Sequence, residues 1–153
     1  MKKIFLLLAF FTLVFSACKK DSFDAAKQAA EDDAKIQAYI KANNIEAVKD
    51  ASGLYYQILT TGTGVNPTAA STVRVAYVGK LLDGTQFDTS TNFSSSLSGS
   101  LIQGWKIGLP YCKQGGRILL LIPSGLGYGN TAQGSIPKNS VLVFTIDLIQ
   151  VQG

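Results

Sequence analysis

The chain has 153 residues, 46% of them hydrophobic and 16% charged. That is enough for one domain with its own core, too little for two, and too apolar for a disordered chain. The net charge of +4 shrinks once the N-terminus is discounted: without Lys2 and Lys3, the 14 basic residues become 12 against 10 acidic ones, or +2, which excludes the charge footprint of a nucleic-acid binder. With no histidine and only two cysteines, a Ser-His-Asp or Cys-His nucleophile, a histidine metal site and a thiolate metal cage are all excluded. No phosphate-binding glycine loop of the required spacing is present, so no metal and no cofactor is expected.

The first segment, "MKKIFLLLAFFTLVFSAC", has two lysines, a twelve-residue apolar run from Ile4 to Phe15, and small residues before Cys18. Twelve residues are too few to span a bilayer and fit a secretory signal peptide over 1–17. "FSAC" resembles a bacterial lipobox, with Phe15 in place of the usual aliphatic residue. Cys18 is therefore the expected lipidation site, and the chain is expected to be exported and held on a bacterial envelope membrane. Cys112 then has no intrachain partner.

Residues 22–43 are rich in alanine and charge and predict a helix, with Ser22 as N-cap and Asn43–Asn44 as its end. Phe23, Ala26, Ala30, Ala34 and Ile40 give it only a thin apolar stripe. The expectation is a solvated spacer helix over 18–45, with Asp32 and Asp33 on its wet side; a dimerisation helix is the alternative.

From residue 46 to 153 the pattern is that of a single domain. "EAVKDASGLYYQIL" holds two short extended runs around a Ser-Gly turn, and "TVRVAYVGKLLDGTQFD" is a strand followed by an Asp83–Gly84 hairpin turn. "TSTNFSSSLSGS" reads as polar and irregular. In "LIQGWKIGL", Leu101, Ile102, Trp105 and Leu109 are spaced as one face of a short helix that Pro110 should end. "GGRILLLIP" reads as a buried strand and "SGLGYGNTAQGSIPKNS" as a long loop. In the last strand, "VLVFTIDLIQV", Leu142, Phe144, Ile146 and Leu148 share one face while Thr145 and Asp147 share the other. Together these predict an α+β domain: an antiparallel sheet of about five strands wrapped around one short helix and preceded by an N-terminal helix.

Four of these stretches, "VAYVGKLLDGTQFDTS", "LIQGWKIGL", "GGRILLLIPSGLGYG" and "IPKNSVLVFTIDLI", resemble the FKBP-type peptidyl-prolyl cis/trans isomerases in order and spacing, over residues 53 to 153. The resemblance implies an isomerase that assists the folding of exported or envelope proteins. Its partners would be proline-containing unfolded or nascent polypeptides, with macrolides as inhibitors. Trp105 would be the floor under the substrate proline; Tyr77, Phe87 and Phe144 the aromatic walls; Asp88 the pocket carboxylate; and Tyr128 a hydroxyl donor. Leu101, Ile102 and Ile136 would line the substrate site, with the Ile102 N–H as a backbone donor. Between Asp88 and Trp105 the chain is shorter than in many members and lacks the usual aromatic pair; Phe93 is the residue that would replace one of them. That shortening supports the alternative, a non-catalytic peptide-binding or chaperone lipoprotein on the same fold.

Overall fold

The computed structural model describes residues 23–153; the signal segment, Cys18 and Ser22 lie outside the described residues. The chain forms α1 (Ala25–Ala42), β1 (Val48–Lys49), β2 (Tyr55–Thr60), β3 (Thr72–Leu81), β4 (Gln86–Ser96), α2 (Gln103–Gly108), β5 (Arg117–Ile122) and β6 (Leu142–Gln152). The strands make one sheet in the order β1-β2-β5-β6-β3-β4, and every neighbouring pair is antiparallel. This is the expected α+β architecture with six strands in place of about five.

One face of the sheet holds the main core. Val73 and Val75 of β3, Ile118, Leu120 and Ile122 of β5, and Leu142, Phe144, Ile146 and Leu148 of β6 pack there against Trp105 and Leu109. The period-two pattern of β6 puts its four large apolar residues on this face, as expected. A six-residue helix is unstable by itself, so α2 exists because Trp105 and Leu109 are buried against the sheet. Two glycines make its close approach possible. A Cβ on Gly104 would stand 2.5 Å from Ile122 Cγ2, and one on Gly108 would stand 2.6 Å from Leu120 Cδ2. The α-helix ends at Gly108, and Leu109–Tyr111 continue as a single 3-10 turn with Pro110 inside it. Proline is tolerated there because the first N–H groups of a helical turn have no internal acceptor.

The other face is covered by α1. Ile36 is fully buried against Tyr55, Leu119, Leu121, Val141 and Val143, with Tyr39 and Ile40 beside it. This corrects the solvated-spacer expectation. It also explains the unbroken apolar run of β5, whose even residues meet α2 while Leu119 and Leu121 meet α1. Asp32 is corrected with it: its carboxylate is fully buried rather than on a wet surface. Asp33 stays half-buried, paired with Lys49 at 2.6 Å and accepting from the Tyr55 hydroxyl at 2.8 Å. The N-cap within the described residues is Asp24, whose Oδ1 accepts from the Ala26 and Lys27 N–H groups at 3.0 Å. The helix closes at Asn43, followed by Asn44 at φ 52°.

A second correction concerns "TSTNFSSS", which continues β4 through Ser96 instead of forming an irregular loop. Phe93 supplies its inward anchor, packed against the main core, while Ser94 sits exposed on the sheet-edge strand. A register shift opposite Val75 and Tyr77 takes up the remaining length.

Tyr111 ties the α2 end of the molecule to the β1–β2 turn. Its ring stacks on Tyr56 with centroids 4.2 Å apart, and its hydroxyl donates to Asp50 Oδ2 at 2.7 Å. The Ser52 hydroxyl, then the Tyr111 hydroxyl, hold the Asp50 carboxyl down to about 2 from its ordinary 3.8. A depressed folded-state pKa stabilises the fold above the unfolded value, and that contribution fades as pH falls from 3.8 towards 2. Asp50→Ala is expected to flatten the loss of stability across this window. Urea midpoints at pH 5, 3.5 and 2.5 check it, and equal slopes in both proteins would contradict it.

Candidate active site: an aromatic cleft floored by Trp105

Between α2, the inner face of the sheet and the loop after β5 lies a cleft of about 250 Å3. It is lined by Tyr77, Asp88, Phe93, Ser100, Leu101, Ile102, Trp105, Tyr128 and Phe144. β3 delivers Tyr77, β4 delivers Asp88 and Phe93, and β6 delivers Phe144. Trp105, in the first half of α2, sits among three of these rings in edge-to-face contact. Its centroid is 5.0 Å from Tyr77, 5.3 Å from Phe144 and 6.0 Å from Phe93, at interplanar angles of 83–87°. Each such pair adds about 0.5–1.5 kcal/mol beyond simple burial, so the floor is rigid. Packing alone fixes it: among the described residues the buried indole Nε1 has no hydrogen-bond partner.

At the rim, the Tyr77 hydroxyl donates to Asp88 Oδ2 at 2.7 Å, and Asp88 Oδ1 accepts from the Thr89 N–H at 2.8 Å. Burial, reinforced by that carboxylate, raises the Tyr77 pKa well above its ordinary value, so the phenol stays protonated and keeps donating. Ile102 precedes α2 in an extended conformation at φ −59°, ψ 146°, and its carbonyl starts the helix by accepting from Trp105 and Lys106. Among the described residues its own N–H has no acceptor. Tyr128 reaches the opposite rim from the loop and is 38% exposed.

The cleft brings together Tyr77, Asp88, Leu101, Ile102, Trp105, Tyr128 and Phe144 from the sequence reading and leaves two residues outside. Phe87 packs edge-to-face on Phe144 at 5.4 Å and is not among the residues lining the cleft. A register shift between Gly79 and Lys80 lies opposite Phe87 and lets neighbouring residues of β4 turn towards the same side. Ile136 is 5% exposed and belongs to the main core. A larger cavity of about 470 Å3 lies by the end of α1, lined by Tyr39, Lys80, Arg117, Thr145 and Asp147. Its charged pair, Arg117 and Asp147, is already self-satisfied at 2.6 Å, and no aromatic cluster floors it.

A family model described as FKBP-type peptidyl-prolyl cis-trans isomerase matches residues 64–149, which include the lining of the aromatic cleft. The chain belongs to the FKBP family. It is 41% identical over 145 residues to the FKBP-type peptidyl-prolyl cis-trans isomerase FkpA of Escherichia coli (strain K12), covering 90% of this chain and 54% of that protein. It is 39% identical over 133 residues to FkpA of Aeromonas hydrophila, covering 84% and 50%. The chain thus spans about half the length of these curated relatives. The crystal structure of FkpA from Escherichia coli superposes with a TM-score of 0.72 at 39% identity, covering 83% of this chain and 62% of that one. A peptidyl-prolyl cis-trans isomerase from Pseudomonas syringae pv. tomato superposes at 0.70 and 32% identity, covering 86% and 99%.

Within this FKBP fold, Phe93, offered by the sequence as the replacement for one of the aromatic pair, lines the cleft, and Ser100 joins the lining without having been a candidate site residue. Cys112 is 1% exposed, and burial pushes its thiol up to about 11. It is therefore inert core rather than a nucleophile.

Proposed function

We propose that the chain is a peptidyl-prolyl cis/trans isomerase acting on proline-containing segments of exported polypeptides, with the Trp105 cleft as its active site. The observation that carries this reading is an aromatic floor with edge-to-face walls and donors at the rim, in a chain with no histidine to activate Ser100 or any other hydroxyl as a nucleophile. Rotation about an X-Pro bond faces a barrier of ~18–20 kcal/mol because amide resonance is interrupted, and it breaks no bond. The planar amide is the more polar form, so an apolar site favours the twisted one relative to it. A 10³-fold acceleration requires only about 4 kcal/mol of such preference.

In this mechanism the proline ring rests on Trp105 between Tyr77, Phe93 and Phe144. The Ile102 N–H and the Tyr128 hydroxyl hold carbonyl oxygens on one side of the bond while the other side turns. Asp88 orients Tyr77 and fixes its proton. Phe87 and Ile136 act from outside the lining, holding Phe144 and the core in place. Phe93 supports catalysis over the binding-only alternative, because it restores an aromatic wall in the shortened segment.

The finer proposals are export through a signal peptide over 1–17, lipid anchoring at Cys18 to the envelope membrane, and macrolide binding in the same cleft. The first two are supported by the apolar run and the "FSAC" sequence. Among the described residues no helix is long and apolar enough to cross a membrane.

The test is cis/trans exchange of a Leu-Pro peptide, with and without rapamycin. Acceleration that rapamycin abolishes is expected, and Asp88→Ala should lower kcat/KM about fivefold by freeing Tyr77. A folded protein that leaves the peptide at its uncatalysed rate would overturn the reading.

A further inference from the structure

The buried carboxylate of α1 touches neither the cleft nor the surface. Asp32 is fully buried, and its Oδ2 accepts both the Ser124 N–H at 2.8 Å and the Ser124 Oγ–H at 2.6 Å. Its Oδ1 accepts from Gln28 Nε2 at 2.8 Å, with Lys35 Nζ 3.9 Å away. Bonds to a carboxylate of this length are among the strong ones in a protein, and taking a carboxylate out of water is costly unless it is so engaged.

Ser124 is the other half of the device. Its carbonyl accepts the Gly127 N–H at 2.9 Å and the Gly129 N–H at 2.8 Å, so it grips the backbone on both sides of Tyr128. Gly129, at φ 60°, passes its own carbonyl to the Asn139 N–H at 2.8 Å. Every polar group of Ser124 is thereby used, two on Asp32 and one on the turn that presents Tyr128. The chain of contacts runs from α1, on the far face of the sheet, around to the rim of the cleft.

We infer that Asp32 is a positioning residue for Tyr128: through Ser124, α1 sets the placement of the loop that carries the rim hydroxyl. The inference rests on the isomerase reading for its effect on rate, while its structural half stands separately. The helix is then a functional part of the enzyme and not only a covering.

The experiment is a double-mutant cycle with a parallel exchange measurement on the full chain. Asp32→Ala is expected to lower kcat/KM on the Leu-Pro peptide about fivefold, and Asp32→Asn, which keeps an acceptor, to recover most of it. In a Tyr128→Phe background Asp32→Ala should cost less than about twofold more, because its effect passes through that hydroxyl. Amide hydrogen exchange at Gly127 and Gly129 should rise at least about tenfold in Asp32→Ala, with β6 amides unchanged. Ser124→Ala, which removes one of the two donors, carries the same exchange test should Asp32→Ala fail to fold. Equal losses of rate in both backgrounds, or unchanged exchange at Gly127 and Gly129, would overturn the inference. A wild-type protein without isomerase activity would sink the catalytic reading alone, and the exchange result would still decide the loop contact.

Discussion

Trp105→Leu is expected to lower kcat/KM on a Leu-Pro peptide by about tenfold or more, equivalent to about 1.4 kcal/mol of lost preference for the twisted amide. The ring is the shared partner of Tyr77, Phe93 and Phe144, so its loss releases three walls as well as the floor. Leucine fills part of the volume, but a residual cavity and the lost edge-to-face contacts should still cost about 2–4 kcal/mol of stability. The two effects separate by temperature and concentration. An assay well below the variant's Tm reads only the site, and a urea titration reads only the fold. A variant that keeps wild-type kcat/KM while losing stability would show that Trp105 is core alone and that the proline sits elsewhere.

The second large effect is expected beneath the ring. Gly104→Val and Gly108→Val each place a branched side chain where a Cβ already meets Ile122 or Leu120 at 2.5–2.6 Å. The β5 side chains there are fully buried and cannot retreat, so α2 must lift. Overpacking of this kind costs about 1–3 kcal/mol per site, and the lifted helix takes Trp105 with it. Both substitutions should lower the urea midpoint and kcat/KM together. Gly125→Ala is the control, since a Cβ there meets nothing within 4 Å. A Gly104→Val protein as stable and active as that control would refute the close-packed helix.

Much of this was legible in the sequence because it obeyed short-range rules. The alternation of Leu142, Phe144, Ile146 and Leu148 put β6 in the core with the right face inward. The Asp83–Gly84 turn fixed the β3–β4 hairpin, where the Thr85 N–H donates to Asp83 Oδ1 at 2.9 Å. The FKBP resemblance then named residues that the folded chain gathers around Trp105. The docking of α1 was not legible from the helix itself, whose only fully buried residues are one isoleucine and one aspartate, with Tyr39 and Ile40 half-buried beside them. It was written in β5 instead: "ILLLI" can be unbroken only if both faces of the strand are covered. Serines hid the length of β4, because the exposed side of an edge strand places little demand on side-chain type. The Asp32–Ser124 contact spans 92 residues of sequence, a pairing that no local pattern announces.

The two glycines under α2 have one more consequence. At these two positions the helix meets the sheet without a side chain of its own, so its height there is set by the strand below, by Leu120 and Ile122. Neither residue lines the cleft. The depth of the cleft is therefore adjustable from underneath: trimming or enlarging those two side chains is expected to lower or raise the tryptophan and resize the cleft, while every residue that lines it stays the same.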